Sequence, residues 1–269
     1  MAVFGTLFGL ATSLGLGVIQ INAGLEYLNV MSISATNQVI LIAVITLAAA
    51  VSVFTGLDVG VRRLSELNLI MAGALLLFVL CAGPTVFLLS SFVQNIGRYA
   101  SGLVQMTFKT DAFTGQRGLE WQGAWTMFYW AWWISWSPFV GMFIARVSRG
   151  RTIREFIAGV LFVPALLTFF WLTVFGNTAL SLDLFGPGGM ADAVLAENGI
   201  ASAIFVMLQQ LPLPTISAIL ATTVVAIFFV TSSDSGSLVI DIITSGGRTD
   251  APVWQRLFWA FSEGAVAAV

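Results

Sequence analysis

The run FYWAWWISW, residues 128 to 136, carries more aromatic nitrogen and ring surface than an apolar helix needs. At helical spacing Trp125, Tyr129, Trp132 and Trp136 form one stripe, with Trp130 and Trp133 on a flanking face. Such stripes ordinarily serve packing or an interfacial belt. Two features point to a binding surface instead. A belt sits at the ends of a span, whereas Trp132, Trp133 and Trp136 fall near the middle of the uncharged stretch from Trp125 to Ala145. Indole faces also attract a quaternary ammonium, which cannot donate hydrogen bonds. Pro138 has no N–H, so it is expected to free a carbonyl and break the helix near the bilayer midplane.

A second constellation is FFVTSSDSGS, residues 228 to 237. Hydroxyls in membrane helices often bond back to the preceding turn. Alternatively, Thr231 and Ser232 with freed carbonyls offer the close oxygens that a hard cation such as Na⁺ requires. Asp234 is an ionisable group within an apolar run. Its cost there makes it a candidate gate or ion-pathway carboxylate, with an arginine as partner. The third constellation, Arg146, Arg149, Arg151 and Arg154, is a topology determinant on a solvated loop, a contact for anionic lipid or a cytoplasmic gate.

The elements that must position these residues are membrane helices. Of the 269 residues, 58% are hydrophobic and 9% charged, against about a quarter charged in soluble domains; the mean hydropathy is +0.95. The 21 positions from Trp125 to Ala145 span about 30 Å as a helix, the thickness of a bilayer core. Further apolar spans are expected at 2–25, 38–57, 69–92 (kinked at Gly83-Pro84), 156–180 and 217–243, with another beginning at Leu257. SLGLGVIQINAG in the first reads as a tightly packed interior helix or one lining a path. Between Gln94 and Gly123 charged residues alternate with apolar ones, as in an amphipathic helix lying in the interface.

Arginines at 58–67, 146–155 and 247–256 fall on one side under alternate crossing, which places that side in the cytoplasm and the acidic loop 181–200 outside. The expectation is a multi-pass protein of the cell (inner) membrane. The absence of histidine and a single cysteine, Cys81, argue against haem, metal and disulfide chemistry, and hence against a membrane-embedded enzyme or electron-transfer subunit. Cys81 reads as a small buried hydrophobe. A net charge of −2 implies no nucleic-acid partner, and Met1 runs directly into membrane-type sequence with no signal peptide expected.

At these residues the sequence resembles the betaine/carnitine/choline transporters. FYWAWWISWSPFVGMFIARVSRGRTIREF looks like that family's signature, and ATSLGLGVIQINAGL, GPTVFLL and FFVTSSDSGS match in order. The resemblance implies an all-α polytopic protein with a LeuT-like core of two inverted five-helix repeats, substrate and ion bound midway where the first helices of the repeats break. Residues 1–93 would then be the last three helices of the first repeat, 94–124 an interfacial helix through which the family forms homotrimers, and 125–269 the first helices of the second repeat.

By position, the resemblance assigns Trp132, Trp133 and Trp136 to the aromatic cage for a trimethylammonium group, Trp133 closest, beside Tyr129 and Phe139. It assigns Phe228, Thr231 and Ser232 to a sodium site, and Thr6 with Phe139 to a second, where Leu10 replaces the family's other threonine. It also implies a fragment or truncated form, lacking the two helices that precede residues 1–25 and with them the opposite wall of the cage. The function implied is secondary transport of a quaternary-ammonium solute such as glycine betaine, with Na⁺ as coupling ion, no other cofactor and no catalysis. Carnitine or choline uptake, exchange without sodium, and a non-transport membrane subunit remain as alternatives.

Overall fold

The computed structural model describes residues 1–55, 58–196, 199–248 and 252–269. Among the described residues there are eleven α-helices and no strand: α1 Ala2–Tyr27, α2 Ala35–Thr55, α3 Asp58–Ala82, α4 Thr85–Thr107, α5 Gln116–Trp121, α6 Phe128–Val147, α7 Ile153–Phe185, α8 Met190–Leu195, α9 Gly199–Gln209, α10 Pro214–Thr244 and α11 Val253–Ala267. A π-helical turn, Gln122–Met127, joins α5 to α6. Five helices, α1, α2, α3, α7 and α10, are long and apolar enough to cross a membrane. The tryptophan helix α6 is of spanning length, yet it is not among them, because Trp, Tyr, Ser and Pro lower its mean hydropathy. The fold is that of an all-α polytopic membrane protein.

Several boundaries differ from those read in the sequence. Gly83-Pro84 does not kink one helix; it separates α3 from α4, since Pro84 has no N–H to continue the ladder. The helix that carries the first part of the amphipathic stretch, α4, therefore begins at Thr85 and ends at Thr107. It packs on α7 through Phe92 against Phe170, Tyr99 against Phe169 and an Asn95–Thr173 hydrogen bond of 3.3 Å. Arg62 and Glu66 sit not in a loop but on the first turns of α3, as an exposed i,i+4 pair at 2.9 Å. Cys81 is exposed on the helix surface, not buried. The acidic loop is largely helical, and α9 had no counterpart in the sequence reading.

The arginine-rich turn is built by local rules. Val147 ends α6, Gly150 adopts φ 82°, and Thr152 with Glu155 closes a capping box that starts α7: Glu155 N–H donates to Thr152 Oγ1 at 3.3 Å, and Thr152 N–H to Glu155 Oε2 at 2.9 Å. Of the arginines, Arg146 has its side chain outside the described residues.

The helix around which the others gather is α1, which packs against α10, α6, α11 and α2. Its small residues explain how. A Cβ on Gly17 would stand 1.8 Å from the Phe229 ring of α10, and one on Gly24 2.2 Å from Thr222 Oγ1. Reciprocally, a Cβ on Gly236 of α10 would meet Leu10 of α1 at 2.2 Å. Because lipid tails are as apolar as leucine, such close backbone approach and its dispersion contacts hold membrane helices together where burial from water cannot. Asn22, fully buried, ties down the α1–α2 turn by donating to Ser32 O at 3.0 Å and accepting from Ser34 N at 3.2 Å. The polar interruptions of this helix are thus largely explained by packing.

Candidate substrate and sodium site

Trp132 and Trp136 converge on one hydroxyl. Trp132 Nε1 donates to Ser13 Oγ of α1 at 2.9 Å, and Trp136 Nε1 donates to the same oxygen at 3.0 Å and to Gly9 O at 3.1 Å. Ser13 in turn donates to Gly9 O at 3.0 Å. Spacing of four residues puts the two indoles one turn apart on the face of α6 toward α1, and Gly9, whose absent Cβ would lie 3.1 Å from the Trp136 ring, makes the approach possible. Phe139 meets Trp136 edge to face at 5.2 Å. On the same stripe Trp125 stacks on Tyr129 at 6.1 Å, and Tyr129 contacts Trp132 at 5.8 Å.

Trp133 is placed differently from its neighbours. It touches Tyr129 edge to face at 5.8 Å but is 61% exposed, on the face that flanks the Trp132–Trp136 stripe. Two of the three tryptophans are thus fixed by their N–H edges to α1, and the third is largely exposed.

The expected break at Pro138 is not there. Helix α6 runs through it from Phe128 to Val147. The carbonyl that the proline would leave without a donor is that of Ile134, four residues back, and Ser137 Oγ donates to it at 2.7 Å. The irregular winding lies instead in the π-helical turn just before the tryptophans.

On α10 the hydroxyls divide. Thr231 Oγ1 donates back to Ile227 O at 3.1 Å and Phe228 O at 3.0 Å, so two of the candidate sodium oxygens are bonded to each other, and Phe228 itself is exposed. Ser232 lines a small enclosed cavity of about 10 Å³ together with Leu10, Ser13, Leu14, Phe229, Ser233 and Glu263. The structure thus brings the candidate sodium helix and the hydroxyl that holds the tryptophans to one spot. Thr6 is buried on α1 with no hydrogen-bond partner for Oγ1, and Asp234 is buried on α10 close enough to Glu263 to repel it. A pairing of Asp234 with Arg146 falls outside the described side chains.

A larger cavity, about 750 Å³, lies elsewhere, among Trp171, Phe175, Met190, Ile204 and Met207 of α7, α8 and α9. Its lining is apolar except for Asp183, one of whose oxygens accepts Met190 N at 2.8 Å and Ala191 N at 3.2 Å. Volume alone does not mark it as the site, since it offers few polar groups to orient a solute.

The pattern of the betaine/carnitine/choline family of transporters matches residues 1–269, the whole chain. The chain belongs to that family. Its members are transporters embedded in the membrane, not enzymes, in agreement with the five spanning helices. Similar proteins include a glycine betaine transporter of Acinetobacter baylyi, 50% identical over 96% of this chain and 38% of the relative. An uncharacterised transporter of Mycobacterium bovis is 49% identical over 100% of this chain and 44% of the relative. A glycine betaine/proline/choline transporter of Vibrio parahaemolyticus is 48% identical over 99% and 47%. The chain spans less than half the length of each of these.

Two residues at the centre of this geometry were not singled out in the sequence. Ser13 was one polar interruption among several in α1. Glu263 is a lone ionisable residue in the apolar run after Leu257, the same signal that drew attention to Asp234.

Proposed function

We propose that the chain is the ligand-bearing part of a secondary transporter for quaternary-ammonium compatible solutes, glycine betaine foremost, driven by sodium. The relatives named as glycine betaine transporters support the solute class. The observation that carries the reading is the fixing of Trp132 and Trp136 by their N–H edges to Ser13, which leaves indole faces, the best cation–π surface, in a set orientation beside Trp133 and Tyr129. A trimethylammonium group needs such faces and no hydrogen-bond acceptor. Carnitine and choline share that group, so their uptake is the second reading within the class.

In this reading Phe228 O and Thr231 Oγ1 release the hydrogen bond between them and, with Ser232 Oγ, coordinate Na⁺, and Thr6 with Phe139 contributes a weaker second position. Asp234 and Arg146 line or gate the ion's path. Residues 1–93 complete the first inverted repeat, residues 125–269 open the second, and the amphipathic segment 94–124 joins the complete protein into a homotrimer.

The test is uptake of labelled glycine betaine by the full-length transporter in proteoliposomes, with a sodium or a potassium gradient. Uptake should require sodium, and Thr231→Ala with Ser232→Ala should raise the half-saturating sodium concentration about tenfold or more, the effect of losing two ligands of about 1 kcal/mol each. Equal uptake in potassium would sink the coupling.

A further inference from the structure

The least explained group among the described residues is Glu263. It stands on α11 in the seam with α10 and is 1% exposed, and both carboxyl oxygens face hydroxyls: Ser233 Oγ donates to Oε2 at 3.1 Å and Ser237 Oγ to Oε1 at 3.3 Å. Ser233 and Ser237 are themselves buried. Among the described residues no basic side chain forms an ion pair with this carboxyl. On the facing helix Asp234 adds a repulsive neighbour, and the nearest arginine of α11, Arg256, acts instead on Asp241. From α1 and α2 only uncharged residues face it: Leu10, Ser13 and Leu14 line the cavity at its side, and Thr46 sets a buried oxygen without a hydrogen-bond partner against Gly264, the next residue.

Held as an anion with no cation beside it, a carboxyl buried this completely costs several kcal/mol. The cavity beside it, about 10 Å³, is on the scale of one water molecule or one dehydrated monovalent ion. The oxygens are also suitably spaced. Hard cations of sodium's size bind oxygen at about 2.4 Å, and ligands at adjacent corners of an octahedron then stand about 3.4 Å apart. The Ser233–Glu263 and Ser237–Glu263 separations of 3.1 and 3.3 Å are close to that edge. Both serines keep lone pairs once their hydrogens rotate away. Ser13 does not, because its oxygen already donates once and accepts twice.

We infer that Glu263, Ser233 and Ser237 form a sodium-binding site on the α10–α11 seam, separate from Phe228 and Thr231, with Glu263 and Ser233 sharing the wall of one cavity with Ser232 and Ser13. Sodium there neutralises the buried carboxylate and braces α10 against α11. Through the cavity it adjoins Ser13, the hydroxyl that sets Trp132 and Trp136. The inference rests on the reading of the chain as part of a sodium-driven transporter, but its test reads ion binding and not transport.

The experiment is thermal unfolding of the detergent-purified full-length protein titrated with NaCl against KCl at constant ionic strength, with direct binding of radioactive sodium. Sodium should stabilise the wild type. Glu263→Gln, which keeps shape and hydrogen bonding but removes the charge, should raise the half-saturating sodium concentration at least tenfold and lower the bound sodium by one ion. Ser233→Ala and Ser237→Ala should each raise it several-fold. A wild-type sodium midpoint in Glu263→Gln overturns the site; should that variant not fold, wild-type midpoints in both serine variants overturn it equally. If Thr231→Ala with Ser232→Ala leaves the midpoint unchanged while Glu263→Gln shifts it, this site stands and the assignment of sodium to Thr231 falls. The reverse pattern refutes this site and leaves that assignment intact.

Discussion

Removing the hydroxyl of Ser13 should loosen the tryptophans without emptying the core. In Ser13→Ala, Trp132 Nε1 loses the one partner it has, at 2.9 Å, while Trp136 Nε1 keeps Gly9 O at 3.1 Å and Gly9 O keeps Trp136. One donor in a partly buried position is therefore left unsatisfied, at a cost of about 1–2 kcal/mol. No cavity larger than a hydroxyl opens, so the packing loss is small beside that. If the solute requires Trp132 in its present orientation, binding must restore it, and affinity for glycine betaine falls roughly five- to thirtyfold. The measurement is betaine titration of the purified full-length transporter by intrinsic tryptophan fluorescence, alongside its melting temperature. Ser13→Cys, a weak acceptor, should fall between alanine and the wild type. Wild-type affinity in Ser13→Ala, with the fluorescence of the ligand-free protein unchanged, would show that Ser13 does not orient the indoles and would remove the main support for the proposed site.

Trp133→Leu should weaken betaine binding by about 1–2 kcal/mol, the size of a desolvated cation–π contact, with little change in melting temperature because the side chain is largely exposed; unchanged affinity would exclude Trp133 from the site. Gly17→Ala should destabilise by about 1–3 kcal/mol, since its Cβ would stand 1.8 Å from the Phe229 ring. Phe229→Leu on that background should recover part of the loss in melting temperature, and no recovery would mean that the strain lies elsewhere.

What could be read from the sequence follows from the range of the interactions involved. Membrane spans are properties of composition over about 20 residues, so α1, α2, α7 and α10 were evident to within a few positions. The α3 span was evident too, but Pro84 ended it ten residues early. Helix α9, with 11 residues, is too short to announce itself as a span and too apolar to read as a loop. The continuity of α6 depended on whether a nearby hydroxyl would serve the Ile134 carbonyl; Ser137 was in plain sight, but its rotamer was not. For Ser13 and Glu263 it was the partners that lay beyond reach. Their partners are 119 and 30 residues away, and no periodicity within one helix reports which polar residue on another will face it.

The two sides of α1 are held by different physics, and this bears on how the site works. Toward α6 the looser approach at Gly9, where a Cβ would stand 3.0 Å from Ser135, is joined by hydrogen bonds from Trp132 and Trp136, each worth about 0.5–1.5 kcal/mol net and exchangeable for bonds to water or solute. Toward α10 it is an interlock: Phe229 fills the groove left by Gly17, and Leu10 the one left by Gly236. Sliding α1 along α10 would drive those side chains into backbone, which packed interiors do not tolerate gradually. The α1–α10 pair is thus the stiffer unit and the α1–α6 seam the more easily opened one. Oxygens on α10 then hold their positions relative to Ser13, so under the two proposals above an ion beside Ser233 and a solute at Trp132 would meet at a single hydroxyl.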